Sequence, residues 1–451
     1  MKLERTKMAS TYIDFEIQKD IFSTVEGKAI FDEKSRIQRW LDVEVALAEA
    51  QAEYGMIPEK AAKVIAEHAR FEKLDLSVIK EDYAQGKNSI MPIIKALVRQ
   101  SGEYGEFVHY GITTQDVVDT GQVLEIKLVI DLILRDLNKI EATLKNLTKR
   151  YQSTPMVGRS HGQYALPITF GLKTAVWYEE IKRHRARIES LAKRILVGQL
   201  SGPVGTYSAL GDQGMAVCKL ALEKLGLEFS PLAWHVARDN MAEFSSCCTI
   251  FLASLAKIAN EIFQLGKTDV QELQESVFGD AVSSSAMPHK ENPVATQRII
   301  VLSRHIRALN DVVMESLVHE GERDPRALWS EWLAIPQISI YSLASLAYTL
   351  KLLNGLKVFP EIMLGNLEKQ SEVIASEFLM FKLAPVYGKS KAHQKVYELM
   401  KEFQQSGQTI KHLIRGNPDY SDYLSEDDLE ALDKVENYIG QSVSIINSII
   451  K

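Results

Sequence analysis

This sequence of 451 residues is poor in everything that cross-links or punctuates a chain. It has three cysteines, Cys218, Cys247 and Cys248, and no C-x-x-C spacing. Three thiols cannot all pair within one chain, so a disulfide-stapled scaffold is excluded and a reduced, cytoplasmic setting is expected. The adjacent Cys247 and Cys248 lie in a helical apolar run and read as core. Only 13 prolines and 25 glycines interrupt the chain, which predicts long unbroken elements. The opening residues MKLERTKMASTYIDFEI hold no apolar stretch of the signal-peptide kind. No apolar run reaches bilayer length, so no membrane contact is expected. Positive charge is in deficit, with a formal net charge of −6. The run Lys182-Arg183-His184-Arg185 falls in a helical pattern and reads as a solvated face, so no nucleic-acid partner is expected.

What is present is apolar residues at helical spacing. Ile126, Ile130, Ile133, Leu137, Ile140, Leu144 and Leu147 follow one another at intervals of four and three, the seam of a packed bundle. Phe251, Leu255, Ile258 and Ile262 repeat it, as do Ile299, Leu302, Ile306, Leu309 and Val313. These runs of roughly 20 to 30 residues exceed the usual helix, and long helices of similar length pack side by side. The fold class expected is therefore all-α, with few or no strands. Breaks in the pattern divide the chain into residues 1–110, with several short helices, 111–363, with the long ones, and 364–451, short again and ending polar and acidic.

Three segments leave this pattern. His109-Tyr110-Gly111-Ile112-Thr113-Thr114-Gln115-Asp116 precedes a long helix; Thr113 or Thr114 can cap it, and the free N–H groups there can equally hold an anion. Gly158-Arg159-Ser160-His161-Gly162-Gln163 sets a glycine on each side of a Ser-His pair, which permits close approach to a small ligand. His161 can serve as an acid or base near neutral pH or as a plain loop histidine. Ser283-Ser284-Ser285-Ala286-Met287-Pro288-His289-Lys290-Glu291-Asn292-Pro293 joins hydroxyls to a lysine and an amide ahead of another long helix. That set can bind a carboxylate and supply a hydroxyl. His289 stands at metal-ligand spacing from no other His, Cys or Asp, so no metal is expected.

The last segment resembles the signature loop of the fumarase/aspartase superfamily, GSSxMPxKxNP, and the other two resemble that superfamily's remaining signature regions in the same order. The resemblance covers nearly the whole chain. It implies an all-α, three-domain enzyme with a central long-helix bundle. It also implies a homotetramer, each active site drawing its three regions from three different chains. It implies cleavage of a C–N or C–O bond in a small substituted succinate with release of fumarate, and no cofactor. By this resemblance Ser284 is the base that takes a proton from the carbon next to a carboxylate. Lys290 and Asn292 clamp that carboxylate, and Thr113 and Thr114 hold a second one. His161 protonates the leaving group. Gln115, Ser160, Gln163, Ser285, Asn88, Ser89 and Arg323 are further substrate-binding candidates.

Within the superfamily the pattern falls between adenylosuccinate lyase and 3-carboxy-cis,cis-muconate cycloisomerase. The RYxRPEM-like start that marks bacterial adenylosuccinate lyases is missing. Gly86-Lys87-Asn88-Ser89 replaces their Arg-His-Asp segment, and a phosphate-binding arginine falls near Trp332, whose indole cannot act as a guanidinium fork. The stretches 31–58, 111–120 with its Gln115-Asp116, 234–244 and 329–336 look like the cycloisomerase branch, yet His161 is kept. Two departures stand out. Ser283 replaces the glycine that usually opens the signature loop. Gln297 falls where a glutamate often pairs with the histidine, and a neutral partner would not raise its basicity. The expected function is thus a lyase on a small substituted succinate, with lactonisation of carboxymuconate as the alternative and adenylosuccinate cleavage less favoured. A non-catalytic scaffold is disfavoured by the intact Ser284, Lys290, Asn292 and His161.

Overall fold

Five helices of 22 to 37 residues carry the chain: Thr114–Arg150, Phe170–Ile195, Asp239–Leu265, Val294–Glu315 and Pro325–Asn354. They form where apolar side chains recur at three and four. Ile126, Ile130, Ile133, Leu137, Ile140 and Leu144 are all buried, and so are Phe251, Leu255, Ile258, Ile262, Ile299, Leu302, Ile306 and Val313. Leu147, at the end of its stripe, and Leu309, within its own, are half-buried. The structure is a computed structural model that describes residues 10–18, 20–86, 90–276, 287, 289–369, 371–374 and 376–450.

The chain forms two compact units, one of Met1–Asn138, Arg183–Lys257 and Gln297–Thr349, the other of Lys139–Lys182, Ile258–Thr296 and Leu350–Lys451. They cut across the segments 1–110, 111–363 and 364–451. In the first unit the helix Glu33–Glu53 starts at Asp32, whose side chain accepts from the Ser35 N–H. Three of the long helices are joined there by Arg238, which bridges Asp119 and Glu331. In the second unit, Thr148 bonds Thr174 (3.0 Å) and Lys173 pairs with Glu261 (2.6 Å). The C-terminal helices of that unit enclose their own core, including Leu379, Leu383, Val396, Leu399 and Ile414.

Strands are few, as expected: among the described residues there are three two-stranded ladders, and the largest, Pro155–Ser160 with Gln163–Thr169, is made by one of the signature segments. Two expectations need correction. The run 182–185 is not wholly solvated. His184 is buried, with its Nε2 2.8 Å from Ser254 Oγ and its Nδ1 accepting from Arg187. Finally, Asp239–Leu265 and Pro325–Asn354 are each long and apolar enough to cross a membrane. Their few charges are dispersed, so no single unbroken run reveals them. Over half of each apolar stretch is buried within the protein, as in core helices.

Candidate active site

In the first unit, the N-terminus of the Thr114–Arg150 helix is assembled around Asp116. Its Oδ2 accepts from the N–H of Thr113 (3.0 Å) and of Gly202 (2.8 Å), and its Oδ1 lies 2.7 Å from His235 Nε2. The aspartate, third residue of the helix, thus holds the backbone N–H of the residue that precedes it. Thr113 Oγ1 meets Arg323, whose Nη1 donates to it at 2.9 Å while its Nε donates to Gln115 Oε1 at 2.9 Å. Thr113, Gln115 and Arg323 thus form one cluster, with Thr114 half-buried beside it. A guanidinium next to a helix N-terminus is a site for a carboxylate.

Four residues upstream, His109 takes φ 59°, a left-handed conformation that a non-glycine residue holds only under constraint. The constraint is Glu44, buried in the Glu33–Glu53 helix, whose carboxylate accepts from the His109 N–H (3.0 Å) and lies 2.7 Å from its Nδ1. Burial pulls the imidazole pKa down, but the Glu44 charge and hydrogen bond outweigh it and the net direction is up. Sequence reading gave His109 no role within its segment and passed over Glu44, because nothing in a sequence pairs positions 44 and 109.

In the second unit, the segment around His161 is a β-hairpin closed by the pair Ser160 and Gln163. Its two-residue turn is His161 (φ 53°) and Gly162 (φ 75°), both left-handed, as the strand twist requires. Gly158 sits at a register shift, where a Cβ would come within 2.7 Å of the Leu166 carbonyl oxygen. The two glycines therefore shape the hairpin itself. Ser160, His161 and Gln163 are exposed, and the His161 side chain has no hydrogen-bond partner among the described residues. Arg159 anchors the hairpin through two bonds to the fully buried Glu272 (2.9 and 2.6 Å) and lies over the Tyr164 ring.

Glu272 leads into the short strand Leu273–Gln274, which precedes the signature loop. Beyond the loop, the helix Val294–Glu315 is capped from that strand: Glu275 accepts from the N–H of Ala295 (2.6 Å) and Thr296 (3.1 Å). Glu291 is held by Gln274 and by Lys357. Lys290 is exposed, its N–H bonded to the Met287 carbonyl (3.0 Å), and Asn292 is half-buried. Ser284, Ser285, Asn88 and Ser89 lie outside the described residues. Of the candidates, the Thr113 cluster thus belongs to the first unit, and Ser160, His161, Gln163, Lys290 and Asn292 belong to the second.

Residues 24–307 match the family described as Lyase, and residues 372–449 match the adenylosuccinate lyase C-terminus. The chain belongs to the fumarase/aspartase superfamily of lyases. It is an enzyme of the adenylosuccinate lyase and muconate cycloisomerase branch, with the all-α fold of that superfamily. N-acetyl-S-(2-succino)cysteine lyase of Dickeya dadantii is 38% identical over 98% of each chain. The protein of that name from Enterococcus italicus is 41% identical over 87% of this chain and 86% of its own. Adenylosuccinate lyase of Pyrococcus abyssi is 36% identical over 95% and 96%. Among solved structures, a fumarate lyase from Mesorhizobium sp. BNC1 matches with TM-score 0.89 at 32% identity, covering 95% of this chain and 98% of that one. The 3-carboxy-cis,cis-muconate lactonizing enzyme of Pseudomonas putida matches with TM-score 0.87 at 30% identity, covering 95% and 97%.

The Arg238 bridge beneath the Thr113 cluster has a stability consequence. Arg238 is fully buried between Asp119 and Glu331, also buried, and lies 4.8 Å from the Trp234 ring centroid. Replacing it by methionine keeps the bulk but leaves two carboxylates facing each other without their cation. Arg238→Met is expected to cost about 3–5 kcal/mol in denaturant unfolding. A loss below about 1 kcal/mol would show the carboxylates to be solvated or protonated at little cost.

Proposed function

We propose that this enzyme eliminates a thiol from a 2-(alkylthio)succinate, an N-acylated S-(2-succino)cysteine being the representative case, and releases fumarate. The observation that carries the reading is the full-length similarity to two proteins named for that compound. The proposal keeps the substituted succinate and the fumarate expected from the sequence and makes sulfur, in place of nitrogen or oxygen, the departing atom. Ser284 removes a proton from the methylene carbon, and the electron pair spreads into the adjacent carboxylate, clamped by Lys290 and Asn292. That pair then forms the C=C bond as the C–S bond breaks. The other carboxylate stays singly charged and is held by Thr113, Thr114, Gln115 and Arg323. Ser160, Gln163, Ser285, Asn88 and Ser89 bind the remaining polar atoms of the substrate.

Sulfur also accounts for Gln297. An alkyl thiol has a pKa near 8.5, so a thiolate departs without full protonation, whereas an amine or alkoxide does not. His161 then needs no carboxylate to raise its basicity, and its task is to hydrogen-bond the departing sulfur. Trp332 argues in the same direction, because its neutral indole leaves a nucleotide phosphate without a guanidinium partner. We assign the enzyme a homotetrameric, cytoplasmic form with three domains at 1–110, 111–363 and 364–451, three chains contributing to each site. The exposed His161 tip supports this assembly, and so do the exposed Val301, Val312 and Met314 of one long helix.

Proton NMR with separate tubes of N-acetyl-S-(2-succinyl)cysteine, adenylosuccinate and 3-carboxy-cis,cis-muconate tests the reading. The expected result is a growing fumarate singlet in the first tube, matched by released thiol. Adenylosuccinate should react roughly a hundredfold or more slowly, since a missing charged hydrogen-bond pair costs about 3 kcal/mol. Equal rates would replace the thioether reading by adenylosuccinate cleavage. Loss of the muconate vinyl signals without fumarate would establish the lactonizing activity that the Pseudomonas putida similarity favours.

A further inference from the structure

Behind the Thr113 cluster lies a buried chain of charged and amide groups that meets the candidate carboxylate ligands through Gln115. Gln115 is its first link. The Gln115 Nε2 donates to Asp119 Oδ2 (3.1 Å) and to the His235 carbonyl (3.0 Å), both acceptors only. The amide therefore has one orientation open to it, with Oε1 turned to Arg323 Nε. Asp119 is fixed in turn by the Arg238 fork, Nη1 to Oδ2 at 2.8 Å and Nη2 to Oδ1 at 3.0 Å, and by Gln199 Nε2 at 2.7 Å. Arg238 donates from Nε and Nη2 to Glu331, which also lies within reach of Gln122 Nε2. Asp119 and Glu331 are fully buried, and the exposed Arg323 is the outer end of the chain.

We propose that Asp119 and Arg238 are positioning residues for the enzyme's carboxylate clamp: they lock the Gln115 amide so that its oxygen holds Arg323 against the helix N-terminus. The proposal rests on the reading of Arg323 and Thr113 as ligands of the carboxylate that keeps its charge. The physical reason is orientational. An amide can turn over at little cost unless one end faces a group that cannot donate. The Asp119 carboxylate is such a group, and the Arg238 fork holds it in place. Without it, the Gln115 NH2 keeps only its bond to the His235 carbonyl, the amide is held by one partner instead of two, and the contact of its oxygen with Arg323 loosens. Arg323, exposed and long, swings out into water rather than keep that contact.

The consequence is confined to binding. A carboxylate that stays singly charged through the reaction is held equally in the ground and transition states, so its loss raises KM and leaves kcat in place. Asp119→Asn in the full-length enzyme is therefore expected to raise KM for N-acetyl-S-(2-succinyl)cysteine about tenfold, with kcat within about twofold of the wild type. The same substitution should weaken succinate, an unreactive dicarboxylate measured by calorimetry, by about tenfold. The succinate arm keeps the proposal testable if the thioether reading fails, because it needs no turnover. A merely structural role predicts the opposite split, a lower kcat from fewer folded sites with KM and succinate affinity unchanged, and that result overturns the proposal. Should Asp119→Asn not fold, Gln115→Met decides. It removes the amide and leaves Asp119 paired with Arg238; a similar rise in KM and in the succinate Kd that vanishes in an Arg323→Ala background supports the proposal, and unchanged values, or a rise that adds in full to that of Arg323→Ala, overturn it.

Discussion

Ser284→Ala is expected to lower kcat by roughly 10^2 to 10^4-fold, the range in which a positioned proton-transfer group acts, while the fold and the succinate affinity persist. Removing a proton next to a carboxylate is the hard step of the proposed elimination, because the carbon acid is weak. A serine hydroxyl is a poor base until cations and donors stabilise its alkoxide, and the sequence places Lys290 six residues on. The chain also fixes both ends of the segment that carries the serine. On one side Gln274 and Glu275 belong to a strand-bearing stretch, and on the other the helix from Val294 is capped by Glu275 itself. One carboxylate thus ties the two ends together, and the loop between them starts and finishes at defined points. Ser283 and Ser285 are internal controls: alanine at either is expected to cost less than tenfold, in keeping with a hydrogen bond worth about 1 kcal/mol. Fumarate release is followed at saturating thioether. An S284A enzyme that keeps more than a tenth of its kcat would move the base to another residue, and the same loss in S283A would name it.

How far the sequence exposed this enzyme can be read from particular residues. The long helices were legible because a stripe such as Ile126 to Leu144 depends only on local period, and the structure buries all six of its residues. The hairpin was not legible. His161 and Gly162 take left-handed angles to make its turn, and the flanking strands are too short and too polar at their exposed ends to show alternation. Thr113 was rightly placed at a helix start, but its N–H is held by Asp116, and its hydroxyl accepts from an arginine 210 positions away. Glu44 with His109 and Glu272 with Arg159 were missed for the same reason, since no spacing rule links residues 65 or 113 positions apart. Buried charges of this kind follow from tertiary pairing, because a lone buried charge is unaffordable. Their existence can be expected in a bundle of long helices, and their identity cannot.

Lys290→Met is expected to lower kcat by roughly 10^2 to 10^3-fold, the usual cost of removing one preorganised donor from a developing oxyanion, with only a small change in KM. The two carboxylates of a succinyl substrate differ in what the reaction asks of them. One keeps a single charge throughout, and the Thr113–Gln115–Arg323 cluster is proposed to hold it. The other gains a second charge as the proton leaves, and a cation beside it is worth more in the transition state than before. Lys290 suits that task because an ammonium is a compact charge on a flexible stem and is free to follow the growing charge. Its backbone is fixed through Met287, and its neighbour Glu291 is already bonded to Gln274 and paired with Lys357. Arginine at 290 is expected to recover part of kcat, since charge is restored but the fork does not fit the same space. The opposing signature is equally sharp. If Lys290→Met raises KM and spares kcat, Lys290 binds the spectator carboxylate, and the carboxylate beside the abstracted proton must then face Arg323. The Asp119→Asn enzyme would in that case lose kcat instead of affinity, so the pair of variants assigns both ends of the substrate from one set of rate measurements.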